Sequence, residues 1–254
     1  MGDWRLVDLA KFVQGIAPTS CVYLDDSYLQ SLNANVVKVA QEKKNVYMLL
    51  DRTIFHPRSG GQPSDVGTIE GSSFQVTIKR AMLQSGSIVH FGQVEGKLET
   101  APVKCEIDWA NRFLMMRRHT AAHLLDHCLA TYTGSRVETT DSWLGDEPYV
   151  GYAGNAPSSL DLKRLQELGN GFIQQGLNVE IKTVGRSDAE RLIAGAPNVA
   201  RLPKTENLRI VTIEEQIPIP CGGTHVRNLK EIGALEVPKI EPVETGFRLY
   251  FGVK

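Results

Sequence analysis

The sequence predicts an α+β protein: a small antiparallel β-barrel over residues 1–108, followed by an α+β domain over residues 109–254. Three observations predict it. The first hundred residues alternate short β-prone stretches with turn signals at the spacing of a barrel. Residues 109–132 contain no Gly or Pro, and their apolar side chains recur every three to four positions, the period of a helix. Beyond that helix, helical and strand-like segments are interspersed rather than segregated.

Each element has a local reason. Strands are expected at 36–40, 46–51, 68–70, 74–80, 87–91 and 103–108. Between them lie groups such as Glu70-Gly71-Ser72-Ser73, Ser85-Gly86 and Glu95-Gly96, which favour turns. Phe113, Met116, Leu124, Leu125, Cys128, Leu129 and Tyr132 form the stripe of the long helix, and Gly134 stands where a left-handed cap is expected. A second helix is expected from about 159 to 175, with Ser158 or Ser159 as N-cap and Gly176 just past its end. A strand at 178–184, a short helix after Ser187, and strands near 208–213, 234–239 and 247–253 complete the chain.

Composition narrows the class. The 254 residues are 42% apolar and 22% charged, which is ordinary for a globular protein and excludes global disorder. With 28 Lys and Arg against 29 Asp and Glu, the formal charge of −1 argues against coating nucleic acid through bulk charge, though not against a local basic groove. No apolar run approaches the roughly 20 residues that cross a bilayer. The N-terminus, with Asp3, Arg5, Asp8 and Lys11 among its apolar residues, does not read as a secretory signal. Four cysteines are too few for a disulfide framework, so a reducing, cytoplasmic location is expected.

Two residue pairs carry chemistry. His119 and His123 sit one helical turn apart on one face, so two imidazoles can converge on one ion. Cys221-Gly222-Gly223-Thr224-His225 adds a thiol and a third imidazole around glycines that permit a turn. Together they offer a tetrahedral set of zinc ligands. Each pair alone more often reflects ordinary helix and loop composition than a metal site, and spacing alone leaves the two together evenly balanced between the readings. His127 extends the stripe but lies about two turns, roughly 11 Å, from His119. A third feature is Gly60-Gly61-Gln62-Pro63-Ser64-Asp65, where the two glycines permit close backbone approach to a ligand or simply shape a hairpin loop.

These motifs resemble a known family. Arg118-His119-Thr120-Ala121-Ala122-His123-Leu124-Leu125 and Cys221-Gly222-Gly223-Thr224-His225-Val226 are similar to the zinc motifs of the alanyl-tRNA synthetase editing domain. The Gly-Gly-Gln loop resembles that domain's glycine-rich loop. The threonyl-tRNA synthetase editing domain shares the zinc pairs, but the Gly-Gly-Gln loop favours the alanyl branch. Without room for aminoacylation and tRNA-binding domains ahead of it, the chain resembles a freestanding AlaX-family editing protein of medium length. It departs from the pattern at Arg58-Ser59 and at Asn228-Leu229-Lys230, the latter expected to alter a turn more than the metal site.

The resemblance implies a Zn2+-dependent aminoacyl-tRNA deacylase that hydrolyses mischarged tRNA(Ala), chiefly Ser-tRNA(Ala) and also Gly-tRNA(Ala). His119, His123 and His225 are the expected metal ligands, with Cys221 the nearest fourth group. Thr120 has two readings: it hydrogen-bonds the seryl hydroxyl, or it bonds the preceding helical turn. Gln62 is expected to offer its amide to the 3′ adenosine or the ester. Arg58, Arg112, Arg117 and Arg118 are candidate phosphate contacts. The rival reading is a noncatalytic, zinc-stabilised RNA-binding module. A zinc peptidase is disfavoured, because Thr120 follows His119 where such enzymes carry glutamate.

Overall fold

The computed structural model describes residues 7–193, 202 and 205–254. The chain enters through a short helix, α1 (Leu9–Val13), capped by Asp8, whose Oδ1 accepts from the Ala10 N–H at 3.1 Å. Eight strands follow: β1 (Ser20–Cys21), β2 (Ser31–Glu42), β3 (Asn45–Leu50), β4 (Arg52–Thr53), β5 (Gly67–Glu70), β6 (Phe74–Gln84), β7 (Ser87–Gly96) and β8 (Pro102–Ile107). Six of them close a barrel in the order β2-β3-β7-β6-β5-β8, with β8 returning to β2 and every neighbour antiparallel. Closure leaves these strands no open edge.

The barrel forms because its strands alternate. Phe74, Val76 and Ile78 are buried while Gln75, Thr77 and Lys79 face out, and Val103, Cys105 and Ile107 repeat the pattern on β8. A bulge between Ile78 and Arg80 shifts the phase by one residue, so Ala81 rather than Arg80 returns to the interior. Met48, Leu50, Ile54, Ile69 and Ile88 fill the centre. Beside them, Arg112 is completely buried. Its Nε donates to Asp65 Oδ1 at 3.0 Å, Nη1 to the Ser27 carbonyl at 2.9 Å, and Nη2 to the Ile54 carbonyl and Asp65 Oδ2. Asp65 also accepts from the His56 N–H at 2.6 Å. Arg112 is therefore a structural ion-pair partner, and its expected role as a phosphate contact does not hold.

The remaining elements are α2 (Trp109–Thr133), β9 (Thr139–Trp143), β10 (Tyr149–Ala153), α3 (Leu162–Gln175), β11 (Val179–Gly185), α4 (Arg186–Leu192), β12 (Asn207–Ile213), β13 (Ile219–Pro220), β14 (Leu235–Val243) and β15 (Gly246–Val253). They build a four-stranded antiparallel sheet, β14-β15-β10-β9, and a three-stranded one, β11-β12-β13. The α3 cap is Asp161, whose Oδ1 accepts from Lys163 N at 2.9 Å, rather than Ser158 or Ser159. Those serines sit in a turn closed by the Leu160 N–H on the Pro157 carbonyl. Gly176 ends the helix with φ +70°, as the left-handed cap requires. Asn170 ties α3 to β14 through paired 2.9 Å bonds with the Leu235 backbone.

The chain divides into two compact units: 1–59 with 63–113, and 60–62 with 114–254. Gln62, expected with the barrel, thus belongs to the second unit. The reason is local. The Leu144 N–H donates to the Gly61 carbonyl at 3.0 Å, and a Cβ on Gly61 would lie 2.4 Å from Ser142 Oγ. Gly61, at φ +80°, permits the close approach to β9. Among the described residues no helix is long and apolar enough to cross a membrane.

Candidate metal centre

The long helix α2 brings His119 and His123 to one face, and the loop after β13 delivers Cys221 and His225 opposite them. One ligand atom from each of the four lies within 4.8 Å of all the others. The His119 and His225 rings stand 4.5 Å apart and the His123 and His225 rings 4.7 Å. Cys221 Sγ is 3.4 Å from His119 Nε2 and 3.3 Å from His225 Nε2. Ligands at 2.0–2.3 Å on a tetrahedral ion are separated by roughly 3.3–3.8 Å. The spacing and the donor set both suit a borderline-soft divalent cation.

The loop is held in this shape from below. Arg209 on β12 donates from Nη1 to the carbonyls of Cys221 (2.7 Å) and Gly223 (2.9 Å), and the Cys221 N–H returns a bond to the Arg209 carbonyl at 3.0 Å. Gly223 is required by space, not by φ. A Cβ there would fall 2.1 Å from His119 Cε1, whereas Gly222 has open room. Further on, Asn228 caps a short 3₁₀ turn with Glu231 in a capping box, so Asn228-Leu229-Lys230 shapes a turn.

Two neighbouring side chains set the tautomers of two histidines. The Thr224 N–H, a donor only, meets Gln62 Oε1 at 3.1 Å, which fixes that atom as the carbonyl oxygen; Gln62 Nε2 then donates to Thr224 Oγ1 at 2.9 Å. His119 Nδ1, 2.9 Å from the same Oε1, must carry the proton. Thr120 Oγ1 donates to the Met116 carbonyl at 3.0 Å and accepts from the Val226 N–H at 3.2 Å, so His225 Nδ1 at 3.2 Å is likewise the donor. Both rings therefore present Nε2 as the lone-pair atom, toward Cys221. That is the arrangement a metal-binding histidine needs.

Burial and the positive charge of Arg209 lower the His123 pKa to about 4, keeping the ring neutral near pH 7. Burial raises the Cys221 thiol, while the Gly223 N–H and Arg209 act in the opposite direction. His127 stands outside the cluster, edge-on to Phe172 at 5.1 Å. Gln62 and Thr120 are both completely buried. Arg117 donates to the carbonyls of Ile232 and Lys254, and Arg118 to those of Leu144 (2.9 Å) and Gly145 (2.6 Å). Two more expected phosphate contacts thus serve the protein's own backbone; Arg58 is exposed. Sequence reasoning passed over Arg209, which no local pattern marks, and Asp126, whose i+3 spacing from His123 could have been noticed.

Fold and site together define a protein with a closed β-barrel followed by an α+β portion that carries a three-histidine, one-cysteine cluster able to hold a metal ion. Residues 208–249 match the family model described as the threonyl and alanyl tRNA synthetase second additional domain, and residues 26–111 match that of class II (A) tRNA synthetases. The chain is 30% identical over 247 residues to the alanyl-tRNA editing protein AlaX-M of Methanosarcina barkeri, covering 92% of this chain and 98% of that one. It is 34% identical over 219 residues to AlaX-L of Pyrococcus horikoshii, covering 85% of this chain but only 53% of that longer one. It also matches the alanine–tRNA ligase of Korarchaeum cryptofilum at 33% over 241 residues, 26% of the ligase. The chain belongs to the AlaX family of alanyl-tRNA editing proteins.

Proposed function

We propose that this chain is an aminoacyl-tRNA deacylase that hydrolyses mischarged tRNA(Ala) in trans, chiefly Ser-tRNA(Ala) and also Gly-tRNA(Ala), in the cytoplasm. The observation that carries the reading is the convergence of His119, His123, Cys221 and His225 with the tautomers of His119 and His225 set for ligation, in a chain of this family. The three imidazoles would hold Zn2+, with Cys221 the nearest fourth donor. When bound, zinc would supply Lewis-acid polarisation of an ester carbonyl or of water.

The protein's own residues do the rest. Gln62 holds the His119 ring through Nδ1 and ties it to Thr224; Thr120 holds His225 and the Val226 backbone. In this reading both are positioning residues. Thr120's only proton goes to Met116, so the alternative that it bonds its preceding turn is the one the hydrogen bonds support. Gln62 acts on a ligand, in place of the expected contact with the 3′ adenosine or ester. Arg209 keeps the Cys221–His225 loop closed.

A deacylation assay with Ser-, Gly- and Ala-tRNA(Ala), run before and after chelation and zinc restoration, tests the proposal. Hydrolysis of the seryl and glycyl esters, sparing of the alanyl ester, and loss and recovery with zinc are expected. A wild-type protein that binds tRNA but never exceeds spontaneous hydrolysis would be the zinc-stabilised RNA-binding module instead.

A further inference from the structure

A small cleft, open to solvent, adjoins the metal cluster and shares His123 with it. Asp126, Arg136, Gln216, Ile217 and Ile219 also line it. Asp126 is one helical turn beyond His123 on α2, and it is the cleft's one acidic residue. Its Oδ1 accepts from Tyr152 Oη at 2.8 Å. It has no ion pair or second hydrogen bond among the described residues, although Arg136 lines the same cleft. A partly buried carboxylate held by one neutral donor is neutralised either by a proton or by a cation brought into the cleft. Burial, opposed by the Tyr152 bond, raises its pKa to about 7, in line with that deficit. Gln216 adds a complementary feature: its Nε2 is buried without a hydrogen-bond partner among the described residues, a donor available to an ester or ribose oxygen.

We infer that this cleft receives the aminoacyl end of the substrate, with Asp126 binding the α-ammonium group of the esterified amino acid. The inference rests on the editing reading above and deepens it. A cationic amine and an ester carbonyl match, respectively, the carboxylate and the Gln216 amide. The α-ammonium is common to seryl, glycyl and alanyl esters. Asp126 therefore recognises an aminoacyl ester as such, rather than choosing among side chains.

The test uses two hydrolysis-resistant probes, the 3′-seryl amide of 3′-aminoadenosine and its N-acetyl derivative, titrated calorimetrically into the zinc-loaded protein. Wild type should bind the free amine about ten- to a hundredfold more tightly, the range of a charge-assisted hydrogen bond. Asp126→Asn keeps the shape and the Tyr152 bond, and should bind both probes alike with unchanged zinc content. Tyr152→Phe retains the carboxylate and should keep the amine preference, guarding against a folding artefact. Equal binding of the two probes by wild type, or an undiminished preference in Asp126→Asn, overturns the assignment even if Ser-tRNA(Ala) is hydrolysed. Amine-dependent binding lost in Asp126→Asn, without any hydrolysis by wild type, instead removes the editing reading and leaves the cleft assigned.

Discussion

Replacing Thr120 by Val separates a positioning role from a substrate-reading one, because the two predict losses in different states of the protein. Valine matches threonine in shape but leaves two donors without their acceptor: the Val226 N–H at 3.2 Å and the His225 Nδ1–H at 3.2 Å. Thr120, Val226 and His225 are each no more than 1% exposed, so water does not readily replace the hydroxyl. Each unsatisfied buried donor costs about 1–3 kcal/mol, giving about 2–6 kcal/mol together. The Met116 carbonyl loses little, since it can still accept from the helix backbone. At 2–4 °C per kcal/mol for a chain of this size, a loss of about 3 kcal/mol lowers Tm by roughly 6–12 °C. His225 has one escape, moving its proton to Nε2, but that surrenders the metal-facing lone pair. The variant should then bind zinc about 10–100-fold more weakly. Thermal unfolding of the apoprotein and competition titration with a zinc chelator read both routes, and Thr120→Ser should restore both. Wild-type Tm and zinc affinity, combined with selective loss of serine removal over glycine removal, would refute the reasoning and return Thr120 to the substrate.

Three further outcomes are expected. Gly223→Ala places a methyl group 2.1 Å from His119 Cε1; the purified variant should carry substoichiometric zinc by elemental analysis, while Gly222→Ala, in open space, should carry the full amount. Arg112→Met strands the buried Asp65 carboxylate and should cost about 3–5 kcal/mol in urea unfolding, much of it recovered when Asp65 is also made Leu. Asp126 has a folded pKa raised to about 7 from 3.8, so its contribution to stability is fully present below pH 3.8 and is lost as pH rises toward 7. At 1.36 kcal/mol per unit the ceiling is about 4 kcal/mol, and partial exposure reduces it to about 2. Asp126→Asn apoprotein should therefore gain on wild type by about that amount between pH 4 and pH 8 in denaturant titrations; parallel profiles would contradict the raised value.

Much of this protein can be read from sequence because the signals are local. Period-two alternation in 74–78 and 103–107 specifies strands with one buried face, and a gap-free helical stretch ending at Gly134 specifies α2. The i, i+4 spacing of His119 and His123, and the glycines between Cys221 and His225, place the metal-binding atoms in two compact pairs. The β9 strand went unseen because Thr-Thr-Asp-Ser-Trp is polar and lies at a sheet edge, where little burial marks it. Tertiary structure decided what composition leaves open, namely which partner each polar side chain finds. Arg112, Arg117 and Arg118 read as exposed helix cations, yet each is spent on a carboxylate or backbone carbonyls distant in sequence. Gln62 meets His119 and Thr224, and Thr120 meets His225 and Val226, through contacts that span from 57 to 162 positions of chain. Hydrogen bonds in the interior are set by which donors and acceptors the fold buries together, since an unpaired buried group costs kilocalories. Local pattern therefore names the ligands, and long-range packing determines which of their nitrogens carry the lone pair.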